Sequence, residues 1–331
     1  MAGNKKILII RLSSIGDVAI AVPLVKALSN QYPTVEISIV SKPFHQFMFE
    51  GIPRVQFIPF DDKKYIGFMG TFRFAFDQLW KENFTHVIDL HDVLRSKLFR
   101  KVLSIKAIKT VVFDKGRKEK KAALLDKSKL LKPLQSSFLR YKAAIETAGF
   151  QLQTEENQWI EKKGEKENYT IGIAPFSLHF TKTYPQESMV TLINSLLEQL
   201  DCNILLFGGK SERDKLATLS TPDKVAVANC QTIQEEMQLM STLDVMISMD
   251  SANMHLASLV EVPVVSIWGG THPNMGFYGY RQNPALAIGK DLACRPCSVF
   301  GKETCPLGHF ECMKTIDNQQ IVDKVIQVVK G

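Results

Sequence analysis

The feature that most constrains this chain is a rhythm that runs, breaks once and restarts. In the first half, apolar runs suited to strands lie at Ile7–Leu12, Val35–Val40, Val55–Phe60, His86–Leu90 and Thr110–Phe113. Helical patterns such as Asp17–Asn30, Val93–Leu103 and Arg140–Gly149 alternate with them. Residues 151–168, QLQTEENQWIEKKGEKEN, are polar, charged and aperiodic, and read as a linker. The alternation then resumes, with strands expected at Tyr169–Ala174, Asn203–Phe207, Lys224–Val227, Val245–Ser248 and Val262–Trp268. Helices are expected at Gln186–Leu200, Ser211–Leu219, Ile233–Leu243 and Ala252–Val260, and a last one at Asn318–Val329. Strands alternating with helices imply mostly parallel sheets covered on both faces. The expected fold is α/β, with two doubly wound, Rossmann-like domains at residues 1–150 and 169–331. In such sheets ligands bind beyond the carboxyl ends of the strands. Two facing domains would hold a ligand in the cleft between them.

Composition sets limits on function. The 331 residues, 45% hydrophobic and 23% charged, suit a globular protein of two domains. No apolar run approaches the ~20 residues that span a bilayer. The charged start Met1–Lys6 precedes an apolar run too short for a signal-peptide core, so a cytoplasmic chain is expected. The net charge of +7 is uneven: residues 1–150 carry 26 Lys+Arg against 13 Asp+Glu, and residues 151–331 carry 15 against 21. A basic half is either a solvated surface or one that meets an anion: nucleic acid, acidic lipid headgroups or a phosphorylated substrate. Nucleic acid ranks last, because the basic peak between Arg95 and Lys132 lacks interleaved aromatics and any zinc-finger or helix-turn-helix pattern.

The stretch RLSSIGDV, residues 11–18, joins the first strand to the first helix. A nucleotide-binding turn at this place normally carries several glycines, whose amides hold phosphate. Here Gly16 stands alone and Asp17 follows it. A carboxylate at a helix N-terminus would repel phosphate, so Asp17 is either a helix cap or a group meant for something other than phosphate. The missing G-x-G-x-x-G also disfavours a Rossmann dehydrogenase.

Three stretches of the second half suit an anion. In VMISMDSANMHLASLVEVPVVSIWG a strand ends at Met249 and a helix begins in small residues, with Asp250 or Ser251 as candidate caps. Such a helix start favours a pyrophosphate. Ser251 adds a hydroxyl, and His255 lies on the same helix face; a capped structural helix with a surface histidine is the plainer reading. In IAPFSLHFTKTYPQE, Lys182 sits in a loop where a mobile ammonium can meet phosphate, or simply be solvated. In FGGKSERD, Glu212 either complements a helix dipole or bonds a ribose.

Taken in order, these pieces resemble the heptosyltransferases, glycosyltransferase family 9. The resemblance rests on KILIIRLSSIGDVAIAVPLVKAL, on Asp89–His91 with Arg95-Ser96, on Lys182 with Tyr184-Pro185, on GGKSE, and on MDSANMHLASLVEVPVVSIWGGTHP. It implies a GT-B fold, with the acceptor on the first domain and an ADP-sugar donor on the second. It implies an inverting, metal-independent transfer of heptose to a lipopolysaccharide inner-core acceptor, with no cofactor required. By that resemblance Asp17 is the catalytic base. Ser177, Lys182, Glu212, Asp250, Ser251, Ala252 and His255 are donor-binding residues. Ser251 and Ala252 depart from the family's threonine and glycine, and Ala252 puts a methyl group where backbone should approach phosphate.

The resemblance and the charge agree on partners. Acidic lipopolysaccharide precursors at the inner face of the inner membrane would draw a basic domain, making the chain peripheral to that surface. Gly16, His91 and Arg95 are candidate acceptor contacts. Cys294, Cys297, Cys305 and Cys312 form a tight series, read either as a closed structural zinc site or as reduced structural cysteines. Asp61-Asp62, beside Lys63-Lys64, reads as a solvated turn. Two rivals to the transferase remain: a GT-B enzyme with another nucleotide sugar or acceptor, and a non-catalytic nucleotide-sugar binder.

Overall fold

A computed structural model describes residues 5–161, 164, 166–221 and 223–331. Met1–Asn4 at the start and parts of the expected linker (162, 163 and 165) lie outside the described residues. The chain divides into two compact units: residues 1–116 with 137–154, and residues 117–136 with 155–331.

The first unit runs β1 (Lys6–Ile10), α1 (Ile15–Gln31), β2 (Glu36–Ser41), β3 (Val55–Pro59), α2 (Gly67–Phe74), β4 (His86–Asp89), α3 (Leu94–Ser104) and β5 (Lys109–Val112). After α4 (Arg117–Leu125), which belongs to the other unit, α5 (Ser137–Thr147) completes it. Its sheet has the order β3-β2-β1-β4-β5, and every pairing is parallel. Ile7 to Ile10 are at most 1% exposed, because helices cover both faces of β1.

The second unit runs β6 (Tyr169–Ala174), α6 (Gln186–Gln199), β7 (Cys202–Leu206), α7 (Arg213–Ala217), β8 (Val225–Val227), α8 (Ile233–Met240), β9 (Val245–Met249), α9 (Ala252–Leu259), β10 (Val264–Ile267), β11 (Ala287–Ile288), α10 (Glu311–Lys314) and α11 (Asn318–Lys330). Its parallel sheet has the order β11-β10-β9-β6-β7-β8. Both orders reverse beside the unit's own first strand, at β1/β4 and at β6/β9. Those are the points where doubly wound sheets open a crevice at their carboxyl ends.

Each strand expected from sequence is present within one or two residues, and β11 is an addition. The expected helix Ser211–Leu219 is shorter, a single turn Lys210–Glu212 leading into Arg213–Ala217.

The domain boundaries read from sequence ran the first domain straight through to residue 150. In the structure residues 117–136 go with the second unit. Ala123 and Leu130 pack on Met275, and Asn274 Nδ2 donates to the Leu130 carbonyl at 2.8 Å. The Lys127 ammonium donates to the Pro296 carbonyl at 2.6 Å. This segment holds seven Lys+Arg and two Asp+Glu, so its transfer leaves the first unit at +8 and the second at −1. The first unit stays basic, but less so than the sequence half. The linker is likewise tied at both ends. Gln153 N donates to Gln31 Oε1 at 2.9 Å in the first unit, and Ile160 N donates to the Arg281 carbonyl at 2.8 Å in the second.

Ile247, at the centre of β9, is fully buried in the second unit's core. Ile247→Ala should lower that unit's unfolding free energy by about 2–5 kcal/mol, read as a lower denaturant midpoint with unchanged slope.

Candidate functional site

At the β1/β4 switch point, Asp17 is the third residue of α1 and part of its cap. The Ser14 amide donates to Asp17 Oδ2 at 3.3 Å and the Ser14 hydroxyl donates to the same oxygen at 2.9 Å. Arg11 lies just past β1, with Nη2 2.5 Å from that oxygen. Its guanidinium is buried, donates from Nη1 to the Leu90 carbonyl at 2.6 Å, and lies 5.6 Å from the centre of the Tyr141 ring. One arginine thus ties the ends of β1 and β4 together and fixes one Asp17 oxygen, while the Asp17 side chain stays 26% exposed. The sequence reading passed over Arg11. Its signal was a cation immediately after a fully apolar strand, where burial requires a partner.

His91 sits beside this pair. Asp89, the last residue of β4, is fully buried and accepts from the His91 and Asp92 amides, both at 2.8 Å. The Arg100 Nε lies 2.9 Å from its other oxygen. So held, His91 Nδ1 accepts from the Leu12 amide at 3.3 Å. Burial, then the charges of Arg11 and Lys115, push the imidazole down to about 3, so it is neutral with its proton on Nε2. Gly16 is buried in the first turn of α1. Arg95 stands 3.5 Å from Asp62 Oδ2, which Lys42 also meets at 3.1 Å. These two cations hold the Asp62 carboxyl below the usual carboxylate range.

At the β6/β9 switch point, three expected residues come together. Lys182 Nζ is 3.1 Å from Asp250 Oδ2 and only 13% of its side chain is exposed. The Thr271 hydroxyl donates to the same oxygen at 2.8 Å, and the Ser177 hydroxyl donates to the Asp250 carbonyl at 3.4 Å. Lys182 is therefore held in place and largely shielded rather than free in solvent. Its turn is pinned by Thr181, whose amide and hydroxyl donate to the Lys302 carbonyl at 3.1 and 3.0 Å. Gly301, at φ +103°, leaves room for the lysine stem, since a Cβ there would lie 2.7 Å from Lys182 Cδ. Thr271 and Gly301 were missed because their partners are far along the chain.

The expected capping of α9 is also corrected. Ser251 occupies the cap position but its side chain makes no capping bond; its hydroxyl lies 3.3 Å from that of Ser248. The Asp250 carboxylate is drawn instead to Lys182 and Thr271. The helix start is therefore not covered by the Ser251 side chain, as an anion-binding helix start requires. Ala252 opens α9 and is partly exposed, whereas His255 is buried rather than a surface histidine. Glu212 stands on the separate turn after β7, where its Oε2 accepts from the Gly209 amide at 2.7 Å. Burial and the Glu212 charge push the nearby Glu236 carboxyl up to about 7, a neighbour that sequence spacing did not reveal.

Among the described residues no three His, Cys, Asp or Glu side chains are placed to hold a metal ion. The four thiols are near enough to influence one another, and each has further surroundings: Cys312 is buried in the second unit's core, and Cys297 Sγ donates to the Gly270 carbonyl at 3.5 Å. Cys294 Sγ lies 3.9 Å from His309 Nε2. Burial raises the Cys297 and Cys312 thiols. For Cys305, burial is outweighed by the backbone amides of residues 307–310, which lower its thiol.

Two parallel Rossmann-like sheets, with ionisable residues gathered at each switch point, define a doubly wound α/β protein of two units. The glycosyltransferase family 9 (heptosyltransferase) model matches residues 73–309, and the chain belongs to that family. RLSSIGDV lies outside the matched span. A lipooligosaccharide heptosyltransferase 2 of Campylobacter jejuni is 31% identical over 136 residues, 39% of this chain and 41% of that protein. The chain therefore matches about two fifths of that relative's length. Among solved structures, a glycosyltransferase family 9 protein of Veillonella parvula superposes with a TM-score of 0.73 at 19% identity, covering 100% of this chain and 98% of that one. An E. coli ADP-heptose lipopolysaccharide heptosyltransferase II gives 0.67 at 19% identity, covering 98% of each chain. These likenesses establish the GT-B type of fold. No helix among the described residues is long and apolar enough to cross a membrane.

Two expectations test this geometry. His45 and His272 are pushed down to about 4, chiefly by burial, and His91 to about 3. Below pH 6.5 the unfolded chain binds protons that these folded imidazoles refuse, so stability is lost progressively from there toward pH 4. Thermal melting between pH 7.5 and 4.5 should show it, and His45→Asn should flatten the slope. Separately, Cys305 should be alkylated by iodoacetamide before Cys297 and Cys312 at neutral pH, as followed by mass spectrometry.

Proposed function

We propose that this chain is an inverting, metal-independent glycosyltransferase that moves a heptose from an ADP-sugar to a lipopolysaccharide inner-core acceptor. The observation that carries the reading is the gathering of motif residues at both switch points: Asp17 with Arg11 at one, Lys182 with Asp250 and Thr271 at the other. Family membership and the named activities of the relatives support the heptose, the ADP donor and the lipopolysaccharide acceptor.

In this reading the first unit takes the acceptor and the second the donor. Asp17 accepts the proton of an acceptor hydroxyl as that oxygen bonds to the anomeric carbon. The bond from that carbon to the β-phosphate oxygen breaks on the opposite face, which inverts the centre. Negative charge then grows on the departing ADP. Lys182, the first amides of α9 and the hydroxyls of Ser177 and Ser251 meet it. Glu212 bonds the ribose, Asp250 orients Lys182, Ala252 narrows the approach to the helix start, and His255 backs it. Gly16, neutral His91 and Arg95 contact the acceptor. The +8 first unit attracts acidic precursors at a membrane surface.

The contacts of Asp17 with Ser14 also favour a second reading, a nucleotide-sugar binder in which Asp17 only caps α1. One variant separates the two. Asp17→Asn should keep the fold and the thermal stabilisation by ADP, while transfer from ADP-heptose falls by about 10²–10⁴-fold. UDP and NAD should not raise the melting temperature. Retention of most of the turnover would refute the base role.

A further inference from the structure

The segment Asp61–Phe74 carries an apolar surface that the site does not use. Ile66 is 74% exposed, Phe68 63%, Met69 73% and Phe72 38%. Single exposed apolar residues are ordinary on a protein surface, but four within seven positions on one helix and its entry are not. The exposure is not that of a loose loop. Tyr65 is buried between Phe60 and Phe74, at ring distances of 6.1 and 5.0 Å. Thr71 and Phe74 are buried on the inner side of α2, and Ala75 is buried just past its end. Gly70 packs so tightly under Tyr65 that a Cβ would come within 2.4 Å of its backbone. The core thus grips one side of α2 and holds the apolar side out in water.

Charge surrounds this surface. Lys63 and Lys64 stand just before the buried Tyr65 and are exposed. Lys42 and Arg95 converge on Asp62, which neutralises only one of the two. Arg73 stands beside Phe72, paired to Asp77 at 3.2 Å. Aromatic and aliphatic side chains with a cationic border fit the boundary of an anionic bilayer, where the apolar groups enter the acyl region and the cations meet headgroups. A soluble acidic partner would use the cations and leave Phe68 and Met69 in water.

We propose that Ile66, Phe68, Met69 and Phe72 form a membrane-docking face that inserts into an anionic lipid surface, with Lys42, Lys63 and Lys64 as its headgroup contacts. This deepens the reading of the acceptor as lipid-borne and rests on it for its purpose, while the test below needs neither donor nor acceptor.

The full chain is sedimented with vesicles of phosphatidylcholine alone or with phosphatidylglycerol added. It should bind the anionic vesicles and not the neutral ones. The double variant Phe68→Ser/Met69→Ser should bind at least tenfold more weakly, with unchanged circular dichroism and melting temperature. Raised salt should weaken wild-type binding in part, because the inserted apolar groups are not screened. Met69→Trp should shift its emission to the blue on adding anionic vesicles, as insertion requires. Equal binding by the double variant, or no blue shift, overturns the proposal in favour of a purely electrostatic surface. Failure of the wild type to bind, with a dimer in gel filtration that the double variant abolishes, overturns it in favour of self-association. Transfer to a delipidated, soluble acceptor should be unchanged in the double variant. A chain that transfers but ignores vesicles therefore sinks the docking face and leaves the transferase standing.

Discussion

Parallel sheets covered on both faces leave a polar group only one place to work. Inside such a sheet a charge without a partner loses its hydration and gains nothing, so the strands are apolar along their length. Chemistry is pushed to the carboxyl ends, and most of all to the point where the strand order reverses. Both sheets of this chain obey that constraint. Asp17 and His91 follow β1 and β4, and Ser177 and Asp250 follow β6 and β9.

Charges at these ends are partly buried, and each is held by more than one partner. Arg11 answers a carboxylate, a carbonyl and an aromatic ring, and Asp89 answers two amides and a guanidinium. Asp250 answers Lys182 and Thr271. Such networks cost desolvation and return geometry: they fix the loops after the strands in single positions. Lys182 shows the result, since a lysine that would otherwise sweep through water is held beside one carboxylate. The same principle works in reverse at α2, where the grip of Tyr65 and Phe74 on the core is what keeps Phe68 and Met69 exposed.

Much of the fold was legible because its signal is local. Runs such as KILII and VMISM announce buried strands within five residues, and the alternation of such runs with helices implies parallel sheets. The motif residues were legible for a related reason: a strand end is a fixed place in sequence, and Asp17 and Asp250 stand just beyond one. Their partners were less so. Arg11 is close to Asp17 in the chain, yet its reach to Leu90 spans 79 residues. Thr271 reaches Asp250 across 21, and nothing in the spacing marks either contact.

Sequence alone determined the two α/β sheets, the strand ends that carry the candidate site, and the family resemblance, because apolar periodicity and strand-to-helix turns are properties of neighbouring residues. Tertiary structure alone decided that residues 117–136 join the second unit. It also decided that Lys182 is pinned to Asp250 and that His255 is buried. Those outcomes depend on which distant side chains meet when apolar surface is buried. Burial depends on the whole packed unit, and no window of sequence contains it.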